Sequence, residues 1–254
     1  MSNPSSPVQP GVGVGVDARA GAGAPGPAVQ ADAVTVRYGL VQALVDVGFV
    51  LPPQRLLAVT GPSGAGKSTL LWVLAGAVTP TLGRVIVFGD PVGAGGGPAY
   101  RGVGSGRAPG AASVGLVPQG NGLAAVLTAT ENVLFPLLAR GVPRADAWTR
   151  TEAALDSVGL GESGGHLVEE LSGGQQQRVA VARVLALDPD LVLADEPTSE
   201  LDHGNREVVL RLLRERVAAG RTVVMATHDP EAAAVADHVL ALDSGRATWV
   251  AASR

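Results

Sequence analysis

Gly61 to Thr69 reads GPSGAGKST, directly after the apolar run RLLAVT at Arg55–Thr60 and before a helix-compatible stretch. Glycines let a backbone wrap closely, so successive N–H groups can point inward at phosphate oxygens. A helix opening at that turn adds the positive end of its dipole. Gly61, Pro62, Ser63, Gly64, Ala65, Gly66, Lys67, Ser68 and Thr69 therefore read as a phosphate cradle. The Lys67 ammonium reaches the terminal phosphates and the Ser68 hydroxyl holds Mg2+. Lys67 is also the only lysine among 19 basic residues. A chain that uses arginine for every other cation needs a compact ammonium here rather than a planar fork.

A second group of residues suits hydrolysis. LVLADEP, Leu191 to Pro197, is an apolar strand ending in two carboxylates. Neighbours on a strand face opposite ways, which assigns them different tasks. Asp195 serves the Mg2+ shell, and Glu196 polarises an attacking water as general base. TVVMATHDP ends another apolar run at His228, placed to hydrogen-bond the γ-phosphate. LSGGQ, Leu171 to Gln175, opens a helix with two glycines and looks like another anion cradle, yet no lysine accompanies it.

These residues need a scaffold. Short β-branched runs at Arg55–Thr60, Arg84–Gly89, Ser113–Pro118, Asp190–Asp195 and Arg221–Thr227 predict buried strands. Helical stretches at Lys67–Ala77, Gln175–Leu187 and Asn205–Ala219 alternate with several of them, which implies a mostly parallel α/β sheet. Parallel strands release their ends at one edge, beside the phosphates. HVLALDSGRATWV predicts a hairpin turning at Asp243–Gly245. Residues 119–188 carry helical signal and little strand signal, and predict an inserted helical sub-domain. Residues 1–29 are rich in Gly, Pro, Ala and Ser without periodicity and read as a disordered tail. Gly89–Ser113 reads as a glycine-rich surface loop.

Composition narrows the class. A net charge of −4 and 3% aromatic residues argue against a nucleic-acid binder. There is no cysteine for disulfides or thiolate metal sites. The sequence shows neither an uninterrupted spanning helix nor a secretory signal, which predicts a cytoplasmic protein without direct membrane insertion.

GPSGAGKS, LSGGQ and LVLADEP together resemble the nucleotide-binding subunits of ATP-binding-cassette transporters, across nearly all of residues 30–250. The resemblance implies a P-loop (RecA-like) core with a mostly parallel sheet, built from residues 30–118 and 189–254, plus an antiparallel β sub-domain and a helical sub-domain at 119–188. It implies ATP and Mg2+ as cofactors. Tyr38 matches the aromatic that stacks on adenine, and Gln119 the Q-loop glutamine that senses Mg2+ and the water. Ser199, Glu200, Leu201 and Asp202 match the D-loop, and His228 the switch histidine. In the family, two subunits pack head to tail, each ATP lying between one phosphate loop and the partner's LSGGQ. Leu171, Ser172, Gly173, Gly174 and Gln175 would then meet ATP held by the other subunit, whose lysine serves both cradles.

Three departures accompany the match, one being the Gly-rich Gly89–Ser113 segment in place of the usual compact stretch. Glu200 stands where a small or amide-bearing residue is usual in the macrolide-export and lipoprotein-releasing branch of the family, and it falls near the expected dimer interface. Pro118 replaces an aromatic before Gln119. The segments LTATENVLFPLLARGVPRADA and ELSGGQQQRVAVARVLALDPDLVLADEPTSELD resemble the macrolide-export and lipoprotein-releasing branch, which includes the division-complex ATPase. The resemblance thus implies a homodimeric ATPase, peripheral on the inner face of the membrane, that powers a separate permease by export. Signalling through a membrane partner to a cell-wall enzyme is the alternative. A further alternative is a cassette that works without transport. Its DNA-repair and chromosome types would need heptads between the phosphate loop and LSGGQ, and no sustained heptads appear there.

Overall fold

The short apolar runs fold as strands because both their faces are covered. The computed structural model describes residues 26–93 and 112–250. In chain order it contains β1 (Val29–Tyr38), β2 (Val41–Leu51), β3 (Leu56–Thr60), α1 (Lys67–Leu74), β4 (Leu82–Val87), β5 (Asp90–Val92) and β6 (Val114–Val117). There follow α2 (Ala129–Ala139), α3 (Arg144–Ser157), α4 (Gly173–Ala186), β7 (Leu191–Asp195) and α5 (His203–Ala218). The chain continues through β8 (Thr222–Ala226), α6 (Pro230–Ala234), β9 (His238–Asp243) and β10 (Arg246–Val250).

Two sheets result. One has the order β10-β9-β3-β8-β7-β6 and is parallel except at the β9–β10 hairpin. The other, β2-β1-β4-β5, is antiparallel. Alternation along the parallel strands sends side chains to two cores. Leu57, Val59, Leu191, Leu193, Val224 and Ala226 join α1 and the inner face of the antiparallel sheet. Leu56, Val192, Ala194, Val223 and Met225 join α2 to α5. Helix α1 is thus held between two sheets, and Lys67 and Ser68 at its start sit where the sheets meet.

The sequence reading differs from the structure at several points. β1, β2 and β5 were absent from the strand expectations. β2 alternates buried and exposed residues, but Asp46 at φ 52 and register shifts against β1 break the period. The tail expected over 1–29 overlaps β1 at its last residue. Ala28 and Val29 are fully buried, and the Ala28 amide donates to the Leu51 carbonyl at 2.9 Å. Residues 1–25 lie outside the described residues. Within the loop expected at Gly89–Ser113, Asp90–Val92 pairs with β4, and residues 94–111 lie outside the described residues.

Residues 119–188 contain α2, α3 and α4 and short 3-10 turns at Gly161–Ser163 and Val168–Glu170. Thr128 caps α2 reciprocally with Glu131, which fixes where that helix begins. The core of these helices runs into the core under the parallel sheet through α4 and α5.

Candidate functional site

The turn after β3 is shaped by close backbone approach. Gly61 has φ 144, and a Cβ there would lie 2.1 Å from the Leu242 carbonyl oxygen. Gly66 has φ 102, and its Cβ would lie 2.4 Å from the Ala43 oxygen. No other residue type fits either position. Gly66 brings no side-chain cap to α1, so the first amides of that helix remain available to a ligand. The β9–β10 turn braces the loop, with the Gly245 amide donating to the Ala65 carbonyl at 3.1 Å.

Lys67 is only 7% exposed. Its ammonium donates to the carbonyls of Gly61 at 2.9 Å and Pro62 at 3.1 Å. Its third neighbour is Glu196, at 3.7 Å. A compact three-donor ammonium suits this pocket; a guanidinium would have to displace the loop.

Asp195 ends β7 on the face of Leu191 and Leu193, the face that packs toward α1. It is 1% exposed, and neither carboxylate oxygen meets a hydrogen-bond donor. Burial raises its carboxyl above the ordinary 3.8. The Ser68 hydroxyl restrains the shift by proximity, without forming a bond of good geometry. The Glu196 charge adds to the rise and Lys67 opposes it. An orphaned buried carboxylate beside a hydroxyl at a phosphate loop fits a divalent cation. Among the described residues no cluster of three His, Cys, Asp or Glu side chains could hold a metal alone. Asp195 and the Ser68 hydroxyl fit Mg2+, which binds through one or two protein ligands plus phosphates.

Strand alternation separated the two carboxylates for a reason the structure revises. Glu196 lies one residue beyond the strand, and its φ of 50 is left-handed. Its amide donates to the Ala226 carbonyl at 2.9 Å. This turn aims the carboxylate at Lys67 and at His228, whose Nδ1 is 2.9 Å from Glu196 Oε1. The imidazole is largely exposed, so the Glu196–His228 pair opens to the surface. Gln119 follows β6 by two residues and is exposed, at the same edge of the sheet as Asp195. Tyr38 ends β1, 48% exposed, at the rim of the other sheet.

The second cradle differs from the first. Ser172 caps α4 reciprocally with Gln175: the Gln175 amide donates to the Ser172 hydroxyl at 3.3 Å and the Ser172 amide to Gln175 Oε1 at 2.9 Å. Ser172 and Gly173 are exposed. Ser172, Gly174, Gln175, Arg178, Glu200 and Asp202 border an open depression of about 540 Å3, which no residue of Gly61–Thr69 lines. Glu200, expected near a dimer interface, lies against its own chain's signature. A Cβ on Gly174 would stand 3.0 Å from the Glu200 carbonyl oxygen. Asp202 caps α5 through the Asn205 amide at 2.9 Å.

Sequence reasoning missed Arg206. From α5 it reaches Asp229 at 3.0 Å and Glu231 at 3.2 Å, bracing the segment after His228. No local pattern marks it, because its partners are more than twenty positions away.

Comparison with known proteins gives consistent matches. A family model described as ABC transporter matches residues 44–199. An uncharacterized ABC transporter ATP-binding protein of Mycobacterium tuberculosis is 47% identical over 197 residues, covering 75% of this chain and 56% of that protein. The macrolide export ATP-binding/permease protein MacB of Rhodospirillum rubrum is 40% identical over 212 residues, covering 81% of this chain and 31% of that protein. The Fe(3+) ions import ATP-binding protein FbpC of Brucella abortus is 39% identical over 220 residues, covering 86% and 59%. The chain thus spans little more than half of the Mycobacterium relative it matches. The ATP-binding cassette MJ0796, solved as a post-hydrolysis dimer with ADP and Pi, superposes with a TM-score of 0.77 at 28% identity, covering 89% of this chain and 99% of that one.

Proposed function

The chain belongs to the ABC transporter family, and from that premise we propose that it hydrolyses ATP as a head-to-tail homodimer that drives a separate membrane permease. Gly61–Thr69 binds the phosphates through backbone amides and Lys67. Tyr38 stacks on adenine. Ser68, Asp195 and Gln119 would hold Mg2+ together with the nucleotide, and the ion would supply charge neutralisation at the phosphates. Glu196 accepts the proton of the attacking water, and His228 orients Glu196 and faces the γ-phosphate. Ser172, Gly173 and Gly174 meet that phosphate from the second subunit, and Ser199–Asp202 sets their approach.

The observation that carries this reading is the separation of two cradles in one chain. One holds buried Lys67 against Glu196, which His228 meets from its other side; the second is exposed, self-capped and without a lysine. Each is half of a site that two copies complete. ATP closes the dimer and hydrolysis reopens it, a two-state element able to move a partner.

Complementation tests the reading. Lys67→Ala and Gly173→Asp chains should each be inactive alone, and their mixture should regain phosphate release from one hybrid site. A mixture no better than its parents removes the two-chain site.

No helix among the described residues is long and apolar enough to cross a membrane. In this reading the chain sits on the inner face of the membrane through its permease. The resemblance of Leu127–Ala147 and Glu170–Asp202 to the export branch favours export. Identities of 40% to MacB and 39% to FbpC are level, so the gene next to this one is the discriminating observation. A permease with few spanning helices and a large extracytoplasmic domain fits export; a solute-binding protein beside the permease reverses the direction.

A further inference from the structure

The segment after Gln119 has an unusual backbone. Gly120, Asn121 and Gly122 all have positive φ, at 79, 65 and 58. Asn121 is the one residue of the three with a Cβ to strain, and its Oδ1 is buried without a partner. The two glycines take this conformation freely, so its cost falls on Asn121.

One side chain reaches two of the three carbonyls of the run. Arg183, ten residues into α4, donates from Nη2 to the Asn121 carbonyl at 2.9 Å and from Nη1 to the Gly122 carbonyl at 2.7 Å. These partners lie about sixty positions away in sequence. The fork of a guanidinium suits two adjacent acceptors in a way an ammonium does not. Downstream, buried Asn132 of α2 secures the same segment. It accepts from the Ala124 amide at 2.9 Å and donates to the Ala124 carbonyl at 3.1 Å and the Thr128 carbonyl at 3.0 Å. Gln119 is therefore tethered to β6 on one side and, through Arg183, to α4, the helix that Ser172 caps, on the other.

We propose that Arg183 is the positioning residue of Gln119: it locks the left-handed 120–122 turn and makes Gln119 move with the signature helix. The proposal rests on the role given to Gln119 above. Arg183 is not among the residues assigned to nucleotide binding. Its effect falls on the step that needs Gln119 in place, after ATP has bound.

The test uses the full chain with Arg183→Ala, Arg183→Lys, Asn121→Gly and the Asn121→Gly/Arg183→Ala double variant. Steady-state hydrolysis and equilibrium binding of a fluorescent ATP analogue are measured for each. Arg183→Ala should lower kcat about tenfold while nucleotide affinity stays within about twofold, and Arg183→Lys should fall between it and wild type. Glycine takes a left-handed conformation without strain. Asn121→Gly should therefore restore a several-fold part of kcat to Arg183→Ala while leaving the wild-type rate nearly unchanged. A generally destabilised core would not be repaired by that change. Unchanged kcat in Arg183→Ala, parallel loss of affinity, or no rescue by Asn121→Gly each overturns the proposal. Should Arg183→Ala fail to fold, Arg183→Lys carries the test, and a wild-type kcat there overturns it. Failure of the broader reading looks different: the unmodified chain would bind ATP and release no phosphate.

Discussion

The two ends of the parallel sheet are built on opposite principles. At the end where the strands begin, charges are matched. Arg221 pairs with Asp188 and, at 3.0 Å, with Asp190; Arg216 also reaches Asp188 at 3.0 Å; and Ser113 donates to Asp190 through both its amide and its hydroxyl. Asp237 accepts from the Leu56 amide at 2.7 Å and pairs with Arg214. At the end where the strands finish, Asp195 is buried with both oxygens unpaired, and Glu196 and His228 turn toward an opening. Burial raises carboxyls at both ends. At Asp188 the Arg221 and Arg216 partners outweigh it, as the Leu56 amide and Arg214 do at Asp237, so both are lowered; at Asp195 nothing outweighs it. One end spends its polar groups on the fold, and the other keeps them for a ligand.

The largest effect expected is at the end where the strands finish. Glu196→Gln should cut turnover about 100- to 10,000-fold, the range for a lost general base. ATP binding should survive, and an ATP-bound dimer should accumulate on a sizing column. Wild-type hydrolysis by that variant would remove the assignment of the base. Lys67→Arg comes next. Its charge is kept but its shape is wrong for the Gly61 and Pro62 carbonyls, so phosphate release should drop about 100-fold. A normal rate would show that the lone lysine carries no special demand.

Stability separates the two ends by sign. Asp195→Asn should stabilise the nucleotide-free chain at pH 7 by about 1–2 kcal/mol, because a buried charge without a partner is removed. Urea unfolding reads this directly, and a loss of stability would mean that the carboxylate is already satisfied. Arg221→Ala should destabilise by about 1 kcal/mol, discounted because its network is partly solvent-exposed. The melting temperature should fall by about 2–4 °C, with hydrolysis at 25 °C unchanged.

The smallest effect is the pH dependence. Asp188 and Asp237 have folded values below the ordinary 3.8, so their contribution is complete above that pH. It is lost as pH falls from 3.8 through the lowered values. Asp195 is raised, so the nucleotide-free chain loses stability as pH climbs from 3.8 through the raised value. Asp195→Asn should flatten only the upper slope and Arg221→Ala only the lower one. If both variants flatten the same limb, the contrast between the ends fails.

Much of the site was legible because its chemistry sits in short segments. Gly61–Thr69, Leu171–Gln175 and Leu191–Glu196 each combine a turn or strand end with the side chains that turn presents. The interactions between those segments were not legible. Arg183 reads as one more polar residue of a helix, and Arg206 as one more surface cation. Their roles appear only when Asn121–Gly122 and Asp229 are brought beside them. β1 and β2 escaped because bulges break the alternation by which strands are recognised.

By itself the sequence determined the family, the alternating strands and helices of the core, and the two cradles with one lysine between them. Local backbone needs and side-chain chemistry fix these, and both are written in neighbouring residues. Only the tertiary structure decided that Glu196 leaves its strand through a left-handed turn, that Glu200 rests on its own chain's signature, and that the Gln119 loop is tied to α4. These depend on backbone and side chains meeting across tens to more than a hundred positions, and packing alone selects such meetings.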